Sequence, residues 1–268
     1  MSRHRQKPLK RIAYLYHRFR SIYSYRNDIA PRLEKPLISF TFDDFPVSAA
    51  ENGADLLDTY GVRGTFYASF GLSGRQTIVG KISDASHMAR LIQRGHEIGD
   101  HTFDHSDALE VSSGRFEESI LKNRSYLKAH YPDLEFATFA YPYGYLEFGT
   151  KKIAQKYYGC SRSAWKGINH GRIDLNLLRS FPLLGDLDRF RSIKGLIDRN
   201  HNLNGWLILF THDVDKRPSD CGCSPGLLEE VLKYAVDTGT TVLNVDQARN
   251  LLRAHIASSR RLRGEKNP

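Results

Sequence analysis

Two adjacent carboxylates, Asp43 and Asp44, close the apolar run from Leu37 to Phe42. Further on, His101 and His105 stand four apart in His101-Thr102-Phe103-Asp104-His105. On a helix or helical turn that spacing points both imidazoles the same way. One carboxylate and two imidazoles make a three-ligand metal site with open positions, as in a hydrolytic zinc centre. The second carboxylate is then left beside the metal, free to take a proton from water. Polar groups also follow two later apolar stretches: Tyr141-Pro142-Tyr143-Gly144 and Thr211-His212-Asp213. Each motif alone has a bland reading, as a helix cap, a turn or a core histidine. Their joint order is what carries the signal.

The elements that must position these residues alternate between short apolar strands and amphipathic helices. Strands are expected at 37–42, 64–68, 96–99, 136–141, 177–183, 206–210 and 241–245. Helices are expected at 49–60, 84–94, 113–130, 148–158, 188–200, 225–238 and 246–256, with Ser83 or Asp84 as the cap of the second. The run Trp206 to Phe210 is apolar throughout, as in a strand buried on both faces. Repeated β-α units imply parallel strands and right-handed crossovers, and a closed set gives an α/β barrel. Chemistry in such barrels sits at the carboxyl ends of the strands, which is where Asp43, Asp44, Tyr143 and His212 fall. Residues 71–82 read as a loop over that face.

Together, from Pro36 to Val245, these segments resemble the polysaccharide deacetylases, the family 4 carbohydrate esterases with a NodB-homology domain. The resemblance implies a distorted, incomplete (β/α) barrel and a metal-dependent hydrolase that removes N-acetyl groups from an amino-sugar glycan. It implies Asp44, His101 and His105 as metal ligands, with zinc the first choice and cobalt, nickel, manganese or iron also suited to that donor set. Asp43 is similar to the family's general base, and His212 to the general acid that protonates the leaving amine. The backbone N–H of Tyr143 corresponds to the group that helps hold the oxyanion. Tyr141, Pro142, Gly144, Trp165 and Phe210 are then expected to line the substrate groove, with Tyr145 a further ring for a sugar to stack on.

The chain departs from the family pattern in three places. Phe210 stands where a leucine is usual. Ala140 stands where the family usually has the arginine that pairs with the base, and Arg162 on the following strand is the expected replacement. The usual Asp-Trp pair of the fourth motif is not recognisable, so Asp174, Asp186 and Asp188 all remain candidates for orienting His212. His96 and Glu97 read as structural.

The 268 residues carry a net charge of +9, with basic ends. That balance suits an anionic glycan, anionic lipid or solvated tails. No motif supports nucleic acid. Residues 1–35 read as a basic amphipathic extension, 36–258 as the barrel and 259–268 as a basic tail. Ile12, Leu15, Tyr16, Phe19, Ile22 and Tyr23 form an apolar stripe among arginines, so the extension is expected to lie either on an anionic membrane surface or against the barrel. No signal peptide or spanning segment is read, which points to a cytoplasmic protein, peripheral to the membrane at most. Cys160, Cys221 and Cys223 give no disulfide framework and read as reduced thiols. Two other readings are a glycan-binding protein on a deacetylase fold and a hydrolase of another class or another acyl amide. Exopolysaccharide or lipooligosaccharide biosynthesis is the expected setting.

Overall fold

A computed structural model of the chain describes Tyr16 and residues 19–262, with side chains to residue 257. In chain order the strands are β1 (Asp28–Ile29), β2 (Leu37–Asp43), β3 (Thr65–Ala68), β4 (Gln76–Thr77), β5 (Gly80–Lys81), β6 (Glu97–Asp100), β7 (Thr138–Ala140), β8 (Cys160–Arg162), β9 (Ile173–Asp174), β10 (Phe181–Pro182), β11 (Trp206–Thr211) and β12 (Thr241–Val242). The α-helices are α1 (Ala54–Thr59), α2 (Ala85–Gln93), α3 (Ser113–His130), α4 (Phe148–Tyr157), α5 (Phe190–Leu203), α6 (Pro225–Asp237) and α7 (Val245–Leu262).

Seven strands run in the order β10-β11-β2-β3-β6-β7-β8, with β12 also paired to β2. Every pairing among them is parallel. Strand β2 is buried along its whole length, with β11 and β3 flanking it and its side chains packed in the apolar core. The register sets Trp206 against Leu37 and Thr211 against Phe42, so both strands deliver their polar ends to one rim. Between β8 and β10 the chain bridges Asn169 to Trp206 and Leu178 to Arg162, and β9 pairs with β1, before β10 joins β11. This brings the two edges of the sheet towards each other as the incomplete barrel that the resemblance implied.

Capping follows side-chain chemistry. Asp84 accepts the N–H groups of Ser86 and His87, Ser112 that of Arg115, and Ser224 that of Leu227, with Pro225 opening α6. The first half of the expected helix 49–60 is a π turn, Ala49–Gly53, before α1 begins. The expected strand 177–183 is largely irregular. A 3-10 turn spans Leu175–Leu177, and only Phe181–Pro182 pairs as a strand, because the apolar residues there fill the gap between two sheet edges. The expected strand 241–245 is only Thr241–Val242, since α7 starts at Val245. The loop 71–82 contains the hairpin β4–β5, and Pro46 bridges Ile82 across it.

Much of the expected amphipathic extension lies outside the described residues, as does the tail beyond 262. Within the described part, residues 19–23 are helical. Lys151 Nζ, buried on α4, donates to the Ser21 carbonyl at 2.7 Å, and Arg20 lies over the Phe148 ring. This turn therefore rests on α4, while Phe19 and Tyr23 stay exposed. Among the described residues no helix is long and apolar enough to cross a membrane.

His96, before β6, is buried, and its Nδ1 accepts the Gly64 N–H at 3.1 Å. Burial pushes its pKa down to about 4. The unfolded chain therefore binds a proton here below about pH 6.5 that the folded chain refuses until about pH 4. The stability from this residue is complete above pH 6.5 and is lost as pH falls towards 4. A shift of that size limits the loss to about 3 kcal/mol. Urea titrations between pH 7 and 4 are expected to show a shallower acid slope for His96→Gln than for the natural chain. Identical slopes would remove His96 from the account.

Candidate active site

Strand β2 ends in a turn that separates its two carboxylates. Asp44 has φ 55° and Phe45 φ 21°, left-handed values that Asp tolerates better than most residues. The turn directs Asp43 and Asp44 to different partners. Asp44, His101 and His105 each present one ligand atom, all within 4.8 Å of one another. The His105 Nε2 is 3.6 Å from Asp44 Oδ2, and the two imidazole centroids are 4.9 Å apart.

The helical turn expected for the histidine pair is not present. Residues 101–106 form an irregular loop in which Thr102 and His105 have φ of 60° and 51°. Its backbone is held from outside rather than by an i to i−4 ladder. The Thr102 N–H donates to Asp100 Oδ1, the Phe103 N–H to the Ser119 carbonyl, and the Ser106 N–H to Thr102 Oγ1. The imidazoles converge because two left-handed residues fold the loop back. His101 is oriented by the Ala140 carbonyl, 2.7 Å from its Nδ1. A carbonyl only accepts, so Nδ1 carries the proton and the Nε2 lone pair is free for a metal.

Burial drives His101 down to about 3 and His105 to about 4, so both rings are neutral near pH 7. The close approach of His105 to Asp44 is therefore not an ion pair. Burial raises Asp44 to about 6, and its Oδ1 is buried with no hydrogen-bond partner. A carboxylate oxygen orphaned between two neutral imidazoles fits a divalent cation.

Asp43 has the opposite environment. It is 5% exposed, and Arg162, 1% exposed, donates to it through Nη2. Burial opposes the charge, but Arg162, with His101 and His212, outweighs it and holds Asp43 below the ordinary carboxylate range. The guanidinium reaches across from β8, whose Arg162 is in register with Ala140. It also lies 5.1 Å from the Tyr67 and Phe210 ring centroids, sandwiched by aromatic faces. Phe210 is half-buried and thus touches the pair that flanks the site.

His212 follows β11. Its Nδ1 is 3.2 Å from the Cys221 carbonyl, which also accepts the His212 N–H at 3.1 Å. This fixes Nδ1 as the donor and leaves Nε2 to face the site. None of the three expected aspartates reaches it. Asp174 holds Lys151, Asp186 accepts from Ser224, and Asp188 pairs with Arg189. The carbonyl is presented by a loop that Asp213 ties together, accepting the N–H and hydroxyl of Ser219. All three cysteines are free. Cys223 is fully buried, its N–H donating to the Asp213 carbonyl, so it builds the loop and does not shape a substrate groove.

The remaining expected residues divide. Tyr143 has φ 58° and is 59% exposed, with its ring 4.5 Å from that of His105 and 6.4 Å from that of Tyr145. Its N–H has no hydrogen-bond partner among the described residues. Tyr141 is 1% exposed and packs edge-on to Phe139, and Trp165 is 8% exposed in the core. Neither offers a face to a sugar. The 3-10 turn Pro142–Gly144 is the reason: it breaks the strand alternation, sending Tyr141 inward and Tyr143 outward. Pro142 and Gly144 are buried under that turn. A Cβ at Gly144 would lie 2.2 Å from Ala164 Cβ, and its φ is +70°, so only glycine fits.

The polysaccharide deacetylase family model matches residues 30–158. Over that stretch the chain is similar to the polysaccharide deacetylases. A deacetylase of that family is a hydrolase of carbon–nitrogen bonds other than peptide bonds. No curated protein matches the sequence. Among solved structures, the chain is similar to the chitin deacetylase of Colletotrichum lindemuthianum, at 18% identity and TM-score 0.57 over 82% of this chain and 89% of that one. It is also similar to the peptidoglycan deacetylase PdaC of Bacillus subtilis, at 18% identity and TM-score 0.55 over 85% and 98%. A third is a family 4 pseudoenzyme from Bacillus anthracis, at 14% identity and TM-score 0.51 over 81% and 66%. At these identities the likeness is one of fold. The pseudoenzyme makes the point that the fold can lose its activity, so the side chains at the rim of this chain's sheet have to be judged individually.

Proposed function

We propose that the protein is a metal-dependent N-deacetylase of an amino-sugar glycan or glycan precursor. The observation that carries this reading is the contrast at the end of β2: Asp43 is kept charged by Arg162, while Asp44 has an oxygen without a partner between two neutral imidazoles. Asp44, His101 and His105 would hold the ion, zinc by donor type. When bound, the ion would supply Lewis acidity towards the acetyl carbonyl and acidify water.

This chain's residues account for the remaining tasks. Asp43 takes a proton from the attacking water. Arg162 keeps that carboxylate charged and aimed. The free N–H of Tyr143 is available to the oxyanion, which hydrogen-bond donors stabilise as charge develops. His212 Nε2 delivers a proton to the leaving amine, its tautomer fixed by the Cys221 carbonyl. Tyr143 and Tyr145 offer exposed rings beside the ligands on which a sugar can stack. The net charge of +9 suits an anionic glycan or a lipid-linked precursor, and exopolysaccharide or lipooligosaccharide precursors are the substrate class we propose.

Acetate release from N-acetylated oligosaccharides and lipid-linked amino sugars, with and without added zinc, tests the reading. Release that requires metal is expected. A protein that binds these glycans with no release under any metal would instead be a binding protein. Metal content supplies a separate check. About one divalent ion per chain is expected after zinc loading, and His101→Ala with His105→Ala should retain none. Retention should fall as pH drops below about 6, because Asp44 then takes a proton while the two rings are still neutral. Equal metal in both proteins would remove the site.

A further inference from the structure

The opposite end of the barrel carries a cleft of about 490 Å³. Asn169, on its wall, exchanges backbone hydrogen bonds with Trp206, which is in register with Leu37 at the start of β2. Strand β2 rises to Asp43 over six residue steps, so the Asn169 wall and the metal ligands are separated by about 20 Å, while the Phe181 side of the cleft lies level with Leu209, midway along the strands. The size is within the usual range for a small-ligand site.

Five cations line the cleft, Arg26, Lys166, Arg172, Arg179 and Arg199, against one carboxylate, Asp174. That carboxylate is already neutralised by buried Lys151, 2.6 Å away. Arg26 and Arg172 both hold Asp28. Lys166, Arg179 and Arg199 have no carboxylate partner among the described residues.

Arg179 is also built into place. Its N–H donates to Asn169 Oδ1 at 2.9 Å, and the Asn169 amide donates back to the Arg179 carbonyl at 2.9 Å. Asn169 is itself 5% exposed. The stem of Arg179 lies on Gly167, where a Cβ would come within 2.4 Å of its Cδ. Its Nη1 donates to the Lys166 carbonyl at 3.4 Å. An exposed arginine whose backbone is fixed by Asn169 and whose stem rests on Gly167, with no carboxylate partner among the described residues, is arranged for an anion from outside.

We propose that this cleft binds a phosphate-bearing ligand, at a site separate from the deacetylase centre. A tetrahedral group with several charged oxygens can meet cations arriving from Lys166, Arg179 and Arg199 together. A planar carboxylate has only two oxygens to share. The phosphate can be a small free anion or a lipid headgroup. Ile22 and Arg26 at the rim belong to the segment that exposes Phe19 and Tyr23.

Two probes separate these sources, both used with the metal-free full-length protein so that the catalytic ligands do not contribute. One is equilibrium dialysis against radiolabelled inorganic pyrophosphate. The other is co-sedimentation with phosphatidylglycerol vesicles, with phosphatidylcholine vesicles as control. Saturable, salt-sensitive binding of at least one probe is expected. Pyrophosphate binding identifies a free anion, and binding to phosphatidylglycerol alone identifies a headgroup. In either case Arg179→Ala with Arg199→Ala should weaken binding at least tenfold. Gly167→Ala, which removes no charge but displaces Arg179, should weaken it severalfold. Circular dichroism should show both variants folded. Binding of neither probe, or binding unchanged in the charge-removal variant, overturns the proposal.

Discussion

Asp43→Asn is expected to keep its metal and lose its turnover. The substitution leaves Asp44, His101 and His105 untouched, so metal content should match the natural chain. It removes the carboxylate that Arg162 holds beside them. A general base is worth roughly two to four orders of magnitude, and kcat on a confirmed substrate should fall by at least that much. His212→Ala should fall by a similar factor through loss of the acid, again with metal retained. Near-normal rates in either variant would reassign the roles. Loss of metal in Asp43→Asn would instead make Asp43 a ligand.

The second large effect belongs to Arg162, and it falls on stability as well as on rate. Arg162→Met fills much of the same volume but leaves Asp43 buried without its cation. Breaking a buried pair from one side costs about 3–5 kcal/mol, because the remaining charge has neither water nor partner. Asp43 should also climb in pKa, since burial is then opposed only by the two histidines. The acid limb of the kcat/KM profile should therefore move to higher pH. The double variant, Arg162→Met with Asp43→Asn, should recover part of the lost stability while remaining inactive, because no uncompensated charge is left. A single variant that unfolds at the same denaturant concentration as the natural chain would show that the pair contributes nothing. A double variant that is merely the sum of the singles would show that the two groups are not coupled.

How far the sequence revealed this site depended on what kind of group does each job. Side chains at the ends of long apolar strands were legible. Asp43 ends seven-residue β2, Asp44 follows it, and His212 follows β11, where the apolar runs leave little choice of element. Ala140 in place of arginine pointed to Arg162 as the replacement, and that is where the guanidinium lies. Backbone acceptors were invisible. The Cys221 and Ala140 carbonyls orient His212 and His101, yet any residue type can offer a carbonyl, so the search among aspartates had no true candidate to find. Asp213 beside His212 was the one available hint of the loop that supplies the first of these. The helical reading of the histidine pair failed because a spacing of four does not distinguish a helix from a loop folded by two left-handed residues. Tyr141 turned inward instead of lining the groove because one 3-10 turn cancels the strand alternation. Between Cys160 and Pro182 the strands are two or three residues long, too short for any periodicity to show.

The reach of Arg162 across to Asp43 also bears on how the chain acquires its structure. The two residues are 119 positions apart. A chain that has reached only as far as α4 already contains β2, β3, β6 and β7, enough strands to collapse around Phe40, Phe42 and Phe66. It would then be sealing a carboxylate into that core with nothing to neutralise it. The early half is thereby penalised for closing before β8 arrives. A fragment ending near residue 158 should remain loosely packed, and the whole chain should unfold in one transition rather than in halves. Electrostatics placed for catalysis would thus also enforce cooperativity, with the late strand acting as the step that commits the fold.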